Sequence, residues 1–125
     1  MNGDVTRYES DHLKATAGYG VRKRNLQLVF FDGQFPARAH ADAMTVEEQT
    51  ADALERVETA VRRAGAEMDD VLRTTVYTTD ADRADDIEAA YDAYFEERRP
   101  AMTVVGVADL PDGAAVQIEA TAVER

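Results

Sequence analysis

A carboxylate near the end of the chain, Glu119, has the surroundings of a group that could act on water. It lies in Val116-Gln117-Ile118-Glu119-Ala120-Thr121-Ala122, where apolar and polar side chains alternate. In a strand this places Val116, Ile118, Ala120 and Ala122 on one face and Gln117, Glu119 and Thr121 on the other. A glutamate so placed serves as a base near neutral pH when burial raises its pKa. The same pattern equally describes a solvated or ion-paired carboxylate. Tyr19, between Gly18 and Gly20, offers a phenol either to a cleft or to the packing of a glycine-rich hairpin. Asp32 before Gly33 reads as a turn. His12 and His40 stand in polar segments without ligand spacing, so no metal site is expected. There is no cysteine, which excludes thiolate metal sites, disulfides and cysteine nucleophiles. No cofactor is expected.

Charge narrows the partners. Twenty-five acidic residues against 14 basic ones give a net charge of −11. Such a surface repels phosphate backbones and anionic lipid, so neither nucleic acid nor membrane is expected as a partner. Arg22-Lys23-Arg24 reads as an exposed basic turn, and no basic–aromatic stripe accompanies it. Lys14 and Lys23 are the only lysines. High acid, little lysine and much alanine resemble a salt-adapted composition. At molar salt the Debye length is about 3 Å, which screens self-repulsion. A halophilic origin is therefore one expectation and an ordinary acidic cytosolic protein the other. The first residues contain no apolar stretch of signal-peptide type, and the longest apolar run, 28–31, is too short to span a bilayer. The expectation is a soluble cytoplasmic protein. With 45% hydrophobic residues and no linker or repeat, residues 1–125 read as a single domain with one core.

Regular elements must position these groups. Residues 26–32 form the first strong strand signal, with residues 18–22 as a possible antiparallel partner across a turn at 23–25. Thr45-Val46-Glu47-Glu48 is a capping box. The helix it opens carries Val46, Thr50, Ala53, Leu54, Val57, Val61 and Ala64 on one face and stops at Gly65. Residues 71–78 are rich in β-branched side chains and predict a strand. A second helix, capped by Asp80 or Asp82, buries Ala84, Ile87, Tyr91, Tyr94 and Phe95 and ends before Pro100. Strands at 102–108 and 115–123 follow, joined by a turn at 110–114. The order is ββαβαββ, an α+β arrangement in which two helices cover one face of a mixed sheet. The uncovered face, part polar and part apolar, is suited to cover by another subunit.

In this order and spacing the chain resembles the RidA/YjgF family of enamine/imine deaminases, from Tyr19 to the end. Phe31-Asp32-Gly33-Gln34-Phe35-Pro36 is similar to the family's Ser-Gly-Gln-hydrophobic-Pro element. Gln49-Thr50-Ala51-Asp52-Ala53-Leu54 with Ala64-Gly65, and Ala90-Tyr91-Asp92-Ala93-Tyr94-Phe95, resemble its two helices. Asp70-Val71-Leu72-Arg73-Thr74-Thr75-Val76-Tyr77 resembles the strand between them. Pro100-Ala101-Met102-Thr103, Leu110-Pro111 and Gln117-Ile118-Glu119-Ala120 resemble the C-terminal signature. The resemblance implies a chorismate-mutase-like fold and a homotrimer with small-molecule clefts between subunits. It also implies a glutamate that activates water, here Glu119, a tyrosine that closes the cleft, here Tyr19, and ligand contacts near Gly33.

The family's arginine after Pro-Ala, which grips the substrate carboxylate, is matched here by Met102. An arginine fork gives charge-assisted hydrogen bonds of about 1.5–3 kcal/mol each, whereas methionine gives an apolar contact only. Asp32 and Glu88 replace a small polar residue and an asparagine common in the family, which adds negative charge. Arg98 and Arg99 are candidates to fill the place of the arginine, although interaction with the second helix's C-terminus also suits them. Two functions follow as expectations. One is hydrolysis of a reactive enamine or imine other than the usual 2-imino acids, with Glu119 catalytic and Tyr19, Gly33 and Met102 lining the ligand. The other is a non-catalytic trimer that binds a small metabolite. Some members are described as acting on RNA, which the acidic charge here disfavours.

Overall fold

The computed structural model describes residues 5–9, 19–23, 27–36 and 44–124, with side chains described in the last two stretches. His12 and His40 lie outside them. The strands are β1 (Val5–Glu9), β2 (Tyr19–Lys23), β3 (Leu28–Gln34), β4 (Val71–Thr78), β5 (Ala101–Gly106) and β6 (Val116–Val123), and the helices are α1 (Val46–Arg63) and α2 (Ala84–Phe95). The fold is α+β: a mixed four-stranded sheet in the order β3-β6-β4-β5, with the two helices packed on it. β6 runs antiparallel to both β3 and β4, while β4 and β5 are parallel.

One pairing differs from the sequence-based expectation. β2 does not form its hairpin with β3 but pairs antiparallel with β1, Tyr19 opposite Glu9 and Lys23 opposite Val5. β1 precedes the expected series. Its Val5-Thr6-Arg7-Tyr8-Glu9 contains good strand formers, but two charges among five residues blur its hydrophobic alternation. Lys23, expected in a turn, ends β2, and residues 24–26 fall outside the described stretches.

α1 begins as its sequence requires. The Thr45 Oγ1 accepts from the Glu48 N–H at 3.0 Å, and the Thr45 N–H donates to Glu48 Oε1 at 2.9 Å, which satisfies two otherwise orphaned donors. Ala53, Leu54, Val57 and Val61 are fully buried. Gly65 closes the helix at φ +84°, a conformation open to glycine at little cost. Gln49 ties α1 to the start of β6 by accepting the Ala115 N–H at 2.9 Å.

α2 starts later and differently from expectation. A 3-10 turn, Ala81–Arg83, precedes it, and neither Asp80 nor Asp82 caps it: Arg83 holds the cap position with no side-chain bond. The Asp80 N–H donates to Thr78 Oγ1 instead. Ile87, Tyr91 and Phe95 fill the core beside Val76, Val116, Ile118, Ala120 and Ala122, each large apolar side chain contributing about 1.5–3 kcal/mol by leaving water. The buried Tyr91 hydroxyl pairs with the Thr74 hydroxyl at 2.8 Å and reaches the Pro100 carbonyl at 3.3 Å. α2 is thereby fastened to β4 and to the entrance of β5.

Candidate active site

β6 alternates as its sequence demands. Val116, Ile118, Ala120 and Ala122 are buried beneath the helices, while Gln117, Glu119 and Thr121 are half-buried on the opposite, open face. The antiparallel register places Thr75 of β4 opposite Glu119, Arg73 opposite Thr121 and Tyr77 opposite Gln117. Arg73, Thr75, Glu119 and Thr121 line a depression of about 190 Å³. The Tyr77 hydroxyl donates to Glu119 Oε1. That bond, burial and the Glu119 charge, in this order, raise the Tyr77 phenol above its ordinary 10.0, and the Arg73 charge works against them. Tyr77 is therefore a protonated donor throughout the neutral range and orients the carboxylate. The arrangement supplies a fixed carboxylate, two hydroxyls and a guanidinium around a small polar space.

Apolar side chains flank this polar row. By register Phe30 of β3 shares the open face with Thr121, and Val105 of β5 shares it with Tyr77. They are 73% and 37% exposed, and Leu28 is 42% exposed.

The structure separates the residues expected to meet. Met102 stands opposite Thr74 in the parallel β4–β5 register and packs against the helix-covered core. Thr75, one position on, shares its face with Glu119. Met102 and Glu119 therefore lie on opposite faces of the sheet within one chain. Gly33 sits in the irregular stretch between Phe31 and Gln34, where a Cβ would meet the Gln117 side chain at 1.9–2.7 Å. Its lack of a side chain makes room for Gln117, two residues from Glu119 on the same face. Tyr19 is placed by its backbone at the start of β2. Asp32 is exposed. Neither arginine before Pro100 joins the depression. Arg98 donates to Asp69 at 2.8 Å. Arg99 bridges Glu88 at 2.9 Å and Asp92 at 2.5 Å on α2 and lies 5.1 Å from the Tyr91 ring centre. Burial lowers the Arg99 pKa, but the two carboxylates more than reverse this.

Arg73, Thr75 and Tyr77 are functional candidates that the sequence pattern does not single out. Their alternation with Thr74, Val76 and Thr78 in β4 is the available signal, but only the strand register shows which face meets Glu119.

A family model described as Endoribonuclease L-PSP matches residues 9–124. The 2-iminobutanoate/2-iminopropanoate deaminase of Salmonella typhimurium is 36% identical over 103 residues, 78% of this chain and 80% of that protein. The chain belongs to the RidA/YjgF family. Among solved structures, the YjgF gene product of E. coli matches this RidA/YjgF chain at TM-score 0.69 and 31% identity, covering 78% of this chain and 81% of that one. E. coli TdcF with bound serine matches at TM-score 0.71 and 30% identity, covering 82% and 84%. No helix among the described residues is long and apolar enough to cross a membrane.

Proposed function

We propose that residues 1–125 act as one RidA-like domain, assembled as a cytoplasmic homotrimer, that hydrolyses a small reactive enamine or imine in clefts between copies. The observation that carries this reading is Glu119, held by Tyr77 in a polar depression on a sheet face the helices do not cover. In the reaction Glu119 accepts a proton from water as the water oxygen adds to the imine carbon. Glu119 then returns that proton to the nitrogen and the C–N bond breaks. Ammonia leaves as the added hydroxyl gives its own proton to the carboxylate and the carbonyl forms. An enamine first takes a proton at carbon to become the imine. Exposed Phe30 and Val105 beside the depression favour cover by a second copy, which would exclude water around the carboxylate. Tyr19 and Gly33 line the same cleft in this reading, with Met102 reaching it from the neighbouring copy. Methionine at that position holds no carboxylate, so residue 102 does not select the 2-imino acids that an arginine there would bind. The reaction needs no metal or cofactor, and neither nucleic acid nor membrane is a partner.

A second reading, a metabolite-binding trimer without turnover, is favoured by the packing of Met102 into the core. One measurement separates the two. Enzymatically generated imines, with and without a carboxylate, are followed for loss in the presence of wild type and Glu119→Gln. Catalysis predicts a drop of about 10²–10⁴ in kcat for Glu119→Gln with binding kept. Rates equal to the uncatalysed reaction for every imine would establish the binding role instead.

A further inference from the structure

Met102 supplies no cation, whereas the open face of the sheet carries one. Arg73 lines the same depression as Glu119, with the hydroxyl-bearing side chains of Thr75 and Thr121 between them. Among the described residues Arg73 makes no ion pair, whereas Arg62, Arg83, Arg98 and Arg99 all do. It is a diagonal neighbour of Glu119 across the β4–β6 pair, close enough in such a ladder for long side chains to share one ligand. By the β4 register Arg73 shares its sheet face with Tyr77, where its charge is also felt. A guanidinium and a carboxylate that face one small space without closing on each other form a dipolar seat. Arginine's planar donors suit a carboxylate in pairs, and Glu119 suits a protonated imine nitrogen or the water attacking beside it.

We propose that Arg73 seats a carboxylate of the ligand in the Glu119 depression, so that this site takes small carboxylate-bearing imines or enamines through β4 instead of through residue 102. The inference rests on Glu119 marking the ligand site. It changes the gripping residue and not the anionic group, since the carboxylate is held from the open face of the sheet.

The test uses full-length wild type, Arg73→Gln, Arg73→Lys and Glu119→Gln, with assembly checked by light scattering. Binding of 2-oxobutanoate and of its neutral amide is measured by calorimetry, and turnover is measured with 2-iminobutanoate. Wild type is expected to prefer the carboxylate over the amide. Arg73→Gln is expected to weaken 2-oxobutanoate about 10- to 100-fold, as loss of one charged pair implies, to leave the amide unchanged, and to raise KM more than it lowers kcat. Arg73→Lys should recover part of the loss. Equal binding of acid and amide by wild type, or a loss in Arg73→Gln that is the same for both, overturns the proposal. If Arg73→Gln fails to fold, Arg73→Lys decides: a carboxylate-selective drop supports the seat and an unchanged acid-to-amide ratio refutes it. Glu119→Gln keeps the two ideas apart. Undiminished turnover in that variant defeats the hydrolytic reading, while the binding comparison still judges Arg73.

Discussion

The two faces of the four-stranded sheet are built from the same strands and do different work. Toward the helices, Val76, Ile118, Ala120 and Ala122 meet Leu54, Val57, Ile87 and Tyr91 in a close-packed layer. The polar groups admitted there are matched, as Thr74 is with Tyr91. On the open face, residues one position along the chain, Arg73, Thr75, Tyr77, Gln117, Glu119 and Thr121, form a polar row between exposed Phe30 and Val105. A buried apolar side chain stabilises the folded chain directly, whereas a polar row on the open face does little for stability and keeps its chemistry available. The two-residue period of a strand allows neighbouring residues to serve both purposes.

The sharpest way to break this comparison is to substitute adjacent residues on opposite faces. Ile118→Ala should cost about 2–5 kcal/mol in urea unfolding, as cavity-forming core changes do, while Glu119→Gln should stay within about 0.5 kcal/mol of wild type. Similar losses at both positions would mean that the open face is also structural. Phe30→Glu should leave the circular dichroism unchanged yet reduce the mass seen by light scattering from that of the proposed trimer to that of a single chain. An unchanged mass would show that this face is not where copies meet.

A smaller effect is expected where the two helices touch. Tyr94 donates to Glu58, and burial, followed by that hydrogen bond and the Glu58 charge, raises its phenol far above 10.0. A group whose folded pKa is raised contributes stability that is fully present below its unfolded pKa and is lost as pH climbs beyond it. Wild-type unfolding midpoints should therefore fall more steeply above pH 10 than those of Tyr94→Phe, which should itself be about 1 kcal/mol less stable at pH 7. Tyr77 shifts in the same direction, so the slope in the variant lessens without vanishing. Parallel slopes would remove Tyr94 from the account. The smallest and broadest expected effect is a melting temperature that rises with added salt, since screening relieves a net charge of −11. A flat or falling melting temperature would leave the composition without a salt-adaptation meaning.

Several elements are legible in the amino-acid sequence alone. The capping box at Thr45 and Glu48, the stop at Gly65 and the bounds of β4 depend on interactions within a few residues, and they stand where expected. The start of α2 does not: Asp80 and Asp82 both read as caps, but a 3-10 turn at Ala81–Arg83 intervenes and Arg83 takes the cap position. The partner of β2 is hidden because strand pairing joins residues distant in sequence, and β1 shows too little hydrophobic alternation to announce itself. Of the candidate site, the position and facing of Glu119 are legible from β6 alone, but nothing local ties Arg73, Thr75 and Tyr77 to it.

By itself, then, the sequence determined which side of β6 is apolar, since alternation is a local property of successive side chains. Through its local motifs it also carried the resemblance that matches Met102 to the RidA/YjgF family's arginine. Tertiary structure decided which polar sides meet. The antiparallel β4–β6 register brings Tyr77 and Arg73 to Glu119, and the parallel β4–β5 register turns Met102 toward the helices. A shift of one residue in either ladder would reverse every facing. Burial of the apolar set beneath α1 and α2 holds the registers that make Arg73, and not Met102, the neighbour of the carboxylate.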